Sequence, residues 1–227
     1  MKFSVIIPTL NDGPQIGSAL KRLREISRDS PMEVIVVDGG SDDDTVAEAR
    51  PLADAIVSHG RADRGSQMNA GVERARGDLF LFLAADAQPP GNWQQALEHF
   101  WLKAHREAIA ATAFTVDYGS GFSYRTAAFL YNAASRWSGR AVCDQGLCTT
   151  PELFRASGGF PENSPVDDLI FCARLRRLGK IEVLPERIWA AARPMRRKGA
   201  WSTILRRAWL EAGLEAGELP RSGVSPK

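Results

Sequence analysis

No apolar run in this 227-residue chain approaches the roughly 18 to 20 residues that a membrane span needs. Even Leu79–Ala85 is stopped by Asp86. The N-terminus, Met1 to Pro8, has a short apolar stretch without a small-residue cleavage site. It reads as a first strand rather than a signal peptide, which implies a cytoplasmic protein. Charge of one sign is also missing: 29 basic against 27 acidic residues leave a net +2. Bulk attraction to nucleic acid is therefore not expected, and any basic site must be local. Cysteine is scarce. Cys143, Cys148 and Cys172 lack the C-x-x-C spacing of a zinc site and cannot all pair, so they are expected to be reduced packing thiols. Repeats and low-complexity tracts are absent from the sequence.

Three catalytic signatures are missing as well. Without G-x-G-x-x-G or G-x-x-x-x-G-K-[ST], the chain carries neither a dinucleotide fingerprint nor a P-loop. Asp38 has the placement of a ribose-binding acid, but Pro8 stands where glycines would let backbone approach a pyrophosphate. Without G-x-S-x-G there is no nucleophile elbow, which leaves carboxylates as the chemically able groups.

What remains is ordinary globular material, 44% hydrophobic and 25% charged, sized for one enzyme-like unit. Strand-like and helix-like runs alternate. Phe3–Ile7 precedes a helix to about Ile26, Glu33–Val37 one to about Arg50, and Ala55–Ser58 one over Ser66–Ala75. Leu79–Leu83, a helix over Trp93–Arg106 and Ala110–Val116 continue the pattern. Beyond Asp117 it weakens to a helix over Phe122–Trp137, a short strand over Gly146–Thr150 and a helix after Pro165. The expected fold class is α/β, a mostly parallel central sheet with helices on both faces. Residues 1–227 are expected to form one domain, divided at 116 and at 200, with a C-terminal helix and tail over 201–227.

Ligands of such sheets bind beyond the carboxyl ends of the strands. Four polar clusters fall there: Pro8–Asn11, Asp38–Gly40, Ala84–Asp86 and the pair Asp167–Asp168. Read with Val5–Asn11, Glu33–Thr45, Arg64–Gly71, Asp144–Leu147, Gly158–Pro161 and Val166–Leu169, they resemble the family 2 inverting glycosyltransferases of GT-A fold. The resemblance runs from residue 3 to about 200, implies a nucleotide-binding half over 1–116 and an acceptor half over 117–200, and is nearest the short bacterial subgroup associated with radical-SAM and selenium-related domains.

The resemblance implies transfer of a sugar from a nucleotide-diphosphate donor, UDP-linked, to an acceptor nucleophile with inversion. Pro8, Thr9, Asn11 and Asp38 would line the base and ribose pocket, with Arg64, Gln67 and Asn69 on the donor as well. Asp168 would be the general base, and Asp144 and Gln145 would shape the acceptor side. Arg193, Arg196, Arg197 and Lys198 would clamp diphosphate or an anionic acceptor. Asp86 would hold Mn²⁺ or Mg²⁺, which takes hard oxygen ligands and needs only one or two protein carboxylates. Here the chain departs from the family, since Ala84 replaces the first acid of the usual Asp-x-Asp. That departure keeps a second reading open, a sugar-nucleotide-binding or scaffold protein with lost turnover.

Structural alternatives accompany these roles. Asn11 and Asp12 suit a helix N-cap, Arg64 and its neighbours a solvated helix start, and Asp86 a turn before Pro89 and Pro90. Ser41 and Asp44 have capping-box spacing, which assigns Asp42–Asp44 to helix initiation. Ser164, Pro165 and Asp167 suit N-cap, N1 and N3, which would leave Asp168 free for chemistry. In the C-terminal stretch Trp201, Ile204, Leu205, Ala208 and Ala212 recur at helical spacing beside Arg206 and Arg207. Core packing is one reading of them, and peripheral contact with anionic lipid the other.

Overall fold

The computed structural model describes residues 1–27, 30–103, 108–139, 141 and 143–191, with helical positions 202, 205, 209, 210 and 213. Seven strands form one sheet: β1 (Phe3–Thr9), β2 (Met32–Asp38), β3 (Ala55–Ser58), β4 (Leu79–Phe82), β5 (Ile109–Asp117), β6 (Leu147–Thr149) and β7 (Lys180–Trp189). Their order is β3-β2-β1-β4-β6-β5-β7. All pairs are parallel except the two made by β6, which runs antiparallel between β4 and β5. With them stand the helices α1 (Gly13–Ile26), α2 (Thr45–Ala49), α3 (Arg64–Arg74), α4 (Trp93–Lys103), α5 (Phe122–Ser138), α6 (Pro151–Ser157) and α7 (Asp167–Leu175).

The apolar runs become central strands because both faces of the sheet are covered. Side chains alternate across each strand, so Phe3, Val5 and Ile7 of β1 join the core on one face with Val34, Val36, Leu79 and Leu81. Ile6 joins the other with Ile35, Val37, Phe80 and Phe82. Ile16, Leu20, Trp93, Leu97 and Tyr131 seal the first face, from α1, α4 and α5. Met68, Phe154 and Phe171 seal the second, from α3, α6 and α7. Phe160 completes it, with ring centroids 4.9 Å from Phe82 and 4.0 Å from Phe171. Each phenyl ring so buried contributes roughly 1.5–3 kcal/mol.

Close packing of α3 explains one glycine. A Cβ on Gly71 would stand 2.4 Å from Ile6 Cγ2, so a larger residue would lift the helix off β1.

Several boundaries differ from the sequence expectation. Helix α7 begins at Asp167, two residues after Pro165, and its N-cap position is Val166. Ser164 therefore is not the cap; its hydroxyl accepts from Val166 N at 3.3 Å within the preceding loop. The Ser41–Asp44 capping box does not form either. Ser41 donates its hydroxyl to Asp38 at 2.5 Å, while Asp43 accepts from Thr45 N and Gly13 N. The Thr45 hydroxyl, donating to Asp43 from the first turn of α2, holds that carboxyl below its ordinary pKa. The acidic run is still helix-start chemistry, carried by a different residue.

Strand β7 and helix α6 went unanticipated. Pro185 argues against a strand, yet β7 is an edge strand and shifts register between the pairs Phe114–Leu184 and Thr115–Arg187. The proline falls in that irregularity, where no ladder donor is needed. Cys148 and Cys172 are buried thiols, and the desolvated Cys148 is pushed up to about 12. Among the described residues no helix is long and apolar enough to cross a membrane.

Candidate functional site

The parallel strands direct Thr9, Asp38, Ser58, Asp117 and Trp189 to one edge of the sheet. Thr9 is paired in register with Asp38, and both side chains are buried. Asp38 builds the loop that follows it. Its carboxylate accepts from Gly40 N and Ser41 N at 3.0 Å each and from the Ser41 hydroxyl, with Thr9 Oγ1 at 3.5 Å. Asn11 closes the other side from a left-handed backbone (φ 55°): its side chain accepts from Asp42 N at 3.0 Å, and its N–H donates to Ser41 Oγ at 2.9 Å. Pro8 is buried in β1 opposite Val37.

Helix α3 ties this loop to the second half of the chain. Gln67, fully enclosed, donates its amide to Thr9 O at 2.9 Å and Val37 O at 2.8 Å, pinning the strands where they begin to diverge. Asn69 donates to Phe160 O at 2.9 Å and accepts from Phe160 N at 3.0 Å. Both amides therefore hold backbone. A Cβ on Gly65 would meet Pro161 O at 2.1 Å, so only glycine lets the first turn of α3 touch this loop. Gly65→Val should separate the two segments by overpacking, costing about 1–3 kcal/mol. A thermal melt that matches the parent protein would refute this seam.

Arg64, at the start of α3, reaches α7. Its Nε donates to Asp167 Oδ2 at 2.9 Å, its Nη2 to Asp167 Oδ1, and Nη2 lies 3.4 Å from Asp168 Oδ2. Asp167 is enclosed, and burial holds its carboxyl above the ordinary carboxylate pKa although Arg64 pulls it down. Asp168 Oδ1 accepts from Leu169 N at 2.8 Å in the first turn of α7. An open cleft of about 540 Å³ lies alongside, lined by Ala62, Asp63, Arg64, Asn163, Ser164, Pro165 and Asp167.

Asp86, half-buried, follows β4 in a turn closed by Ala87 N donating to Ala84 O at 3.0 Å. Gln88 then exchanges two backbone hydrogen bonds with Trp189, at 2.8 and 2.9 Å, fastening this turn to the end of β7. Asp144 stands in a one-turn 3₁₀ helix (Cys143–Gln145), with Tyr118 OH 3.5 Å from its Oδ2. Gln145 is wholly buried, accepting from Ser135 Oγ at 2.8 Å and donating to Phe114 O at 3.2 Å. Arg193, Arg196, Arg197 and Lys198 lie outside the described residues.

Thus the loops of Thr9, Asn11, Asp38 and Gln67 form one group, and Arg64, Asp167 and Asp168 a second. Tyr118 and Trp189 at the ends of β5 and β7 were missed, because an aromatic residue after an apolar run looks like more core. Among the described residues no three His, Cys, Asp or Glu side chains cluster as a metal cage. Asp86 is a hard oxygen donor of the kind a divalent cation takes one or two of from protein.

The family model described as Glycosyl transferase family 2 matches residues 4–183. A "PGL/p-HBAD biosynthesis glycosyltransferase" of Mycobacterium bovis is 38% identical over 91 residues, 37% of this chain and 35% of that protein. The chain thus aligns with only about a third of that relative. Two solved structures share the fold. A mannosyltransferase from Pyrobaculum calidifontis, in complex with GDP-Man and Mn²⁺, has TM-score 0.74 at 20% identity, covering 97% of this chain and 65% of that one. Glucosyl-3-phosphoglycerate synthase from Mycobacterium tuberculosis, in complex with Mn²⁺, UDP and glucosyl-3-phosphoglycerate, has TM-score 0.68 at 19% identity, covering 98% and 82%.

Proposed function

Because the chain belongs to glycosyl transferase family 2, we propose that it is an inverting glycosyltransferase acting on a UDP-linked sugar, with Asp168 as general base. The observation that carries this reading is the buried Asp168 at the first turn of α7, held beside Arg64 of the nucleotide-binding half. In a single displacement the acceptor nucleophile bonds to the anomeric carbon as the bond from that carbon to the diphosphate oxygen breaks. Asp168 takes the acceptor's proton, and the nucleoside diphosphate departs with the electron pair.

Thr9, Asn11 and Asp38 bound the nucleoside pocket in this reading. Gln67 and Asn69 serve it through the backbones they hold, and Asp144 faces the acceptor. The division at residue 116, the cytoplasmic location and the narrower radical-SAM-associated placement belong to the same proposal. Asp86 would hold a Mn²⁺ or Mg²⁺, which would supply charge neutralisation for the leaving diphosphate. The neighbours with Mn²⁺ and nucleotide in their complexes support this part. A thermal-shift screen of nucleotide sugars with and without Mn²⁺ tests the donor, since a ligand at 100 times its Kd stabilises by about 2.7 kcal/mol.

Calorimetric titration of UDP should give tighter binding with Mn²⁺ than with chelator. Asp86→Asn should remove most of that difference, because the amide loses the charge that holds the cation. Equal affinity in both buffers would make Asp86 a turn residue only. The second reading, a binding protein without turnover, draws on Ala84 in place of the first acid. Donor hydrolysis or transfer above background eliminates it.

A further inference from the structure

Helix α5 covers the sheet with one side and presents an apolar stripe on the other. Tyr124, Ala127, Ala128 and Tyr131 pack into the core, and Asn132 exchanges two hydrogen bonds with the backbone of Val116. Outward stand Phe122, Phe129 and Trp137, 85%, 71% and 94% exposed, together with Leu130. At 100° per residue these side chains and the exposed Arg125 fall within an arc of about 140°, with Arg125 at one edge beside Arg136, whose Nη2 donates to Thr115 Oγ1 at 2.7 Å. A stripe of large apolar residues on one helix face is unlike the scattered single hydrophobics of an ordinary surface.

Charge decides what covers it. From Tyr118 to Cys143 the sequence has three arginines and no acidic residue. On the sheet beside α5, Arg187 of β7 is largely exposed and pairs with Asp117 at 3.8 Å. A second copy packed isologously would bring this basic edge against its own image. An anionic surface complements it. We propose that the outward face of α5 docks on an anionic phospholipid bilayer, aromatic rings entering the headgroup boundary and arginines meeting phosphates. The helix begins three residues after Gly119, at which an added Cβ would stand 3.5 Å from Trp189 Nε1 at the end of β7. The proposal stands apart from the transfer reading, since its test measures no turnover.

Vesicle flotation of the full chain tests it, with phosphatidylcholine alone and with phosphatidylglycerol added, at low salt. Recovery with the anionic vesicles should exceed that with neutral ones and fall as salt rises. Phe129→Ser with Trp137→Ser should abolish it while leaving the melting temperature unchanged, because both rings are exposed. Arg125→Gln should lower the partition coefficient about fivefold, from about 1 kcal/mol per surface arginine. Equal recovery with both vesicle types overturns the proposal. So does loss of binding in Leu205→Ser with Trp209→Ser but not in the α5 variant, which would move the contact to the C-terminal stretch. A concentration-dependent dimer that Phe129→Ser with Trp137→Ser dissociates, without lipid binding, assigns the face to a second copy and also overturns it.

Discussion

Asp168→Asn is expected to lower sugar transfer by roughly 10² to 10⁴ while donor affinity stays nearly constant. The amide preserves shape and keeps an oxygen for Leu169 N, which bonds Asp168 at 2.8 Å, but it takes no proton from the acceptor. The base must lie on the acceptor side, opposite the departing diphosphate, and α7 brings Asp168 from the later part of the chain. Asp167→Asn is the paired control. That residue grips Arg64 through two hydrogen bonds, so its loss should lower the melting temperature as well as the rate. Kinetics, donor titration and melting of both variants form the measurement. Normal turnover in Asp168→Asn, or failure only through unfolding, would remove the base from Asp168.

A structural part for Asp167 was legible in the sequence; the contact that provides it was not. Adjacent acids at a helix start follow from local composition, so Ser164-Pro165-Val166-Asp167 invited a capping role. The partner that defines Asp167, Arg64, is 103 residues away, and such a pairing leaves no local trace. The same limit hid the duties of Gln67 and Asn69, whose amides bond Thr9, Val37 and Phe160 across the fold. By contrast β1, β2 and β4 were readable because both their faces are buried, which demands continuous apolar runs. Strand β6 was anticipated over Gly146–Thr150, but its antiparallel direction depends on its neighbours rather than its own pattern. Strand β7 carries a proline that only an edge irregularity accommodates.

Arg64→Met is expected to couple stability, rate and pH in a way that tests the seam between the two halves. The methionine keeps aliphatic packing but removes the cation that Asp167 and Asp168 share. Asp167 would then be a buried carboxylate with only its helix N–H contact, Asp168 N at 2.9 Å. Removing one partner of a fully buried pair costs about 3–5 kcal/mol, and the partly solvated guanidinium here reduces that to about 2 kcal/mol. For a chain of this size about 2 kcal/mol corresponds to a melting temperature lower by roughly 4–8 °C. The sign with pH follows from Asp167, whose carboxyl burial already raises. A raised folded-state value means the folded protein binds the proton more readily, so this group favours folding below about pH 3.9 and loses that contribution as pH climbs. Without Arg64 the value rises further. The deficit of Arg64→Met against the parent should therefore be greatest near pH 7 and shrink as pH falls toward the unfolded carboxylate value. Transfer should fall by about 10², the effect of a reacting group displaced by about 1 Å. Arg64→Lys should restore the charge and flatten the pH dependence, yet recover only part of the rate, since an ammonium lacks the two-pronged grip. Melting curves across the acid range, run beside transfer kinetics, separate these outcomes. A deficit independent of pH would show that Arg64 acts through packing alone.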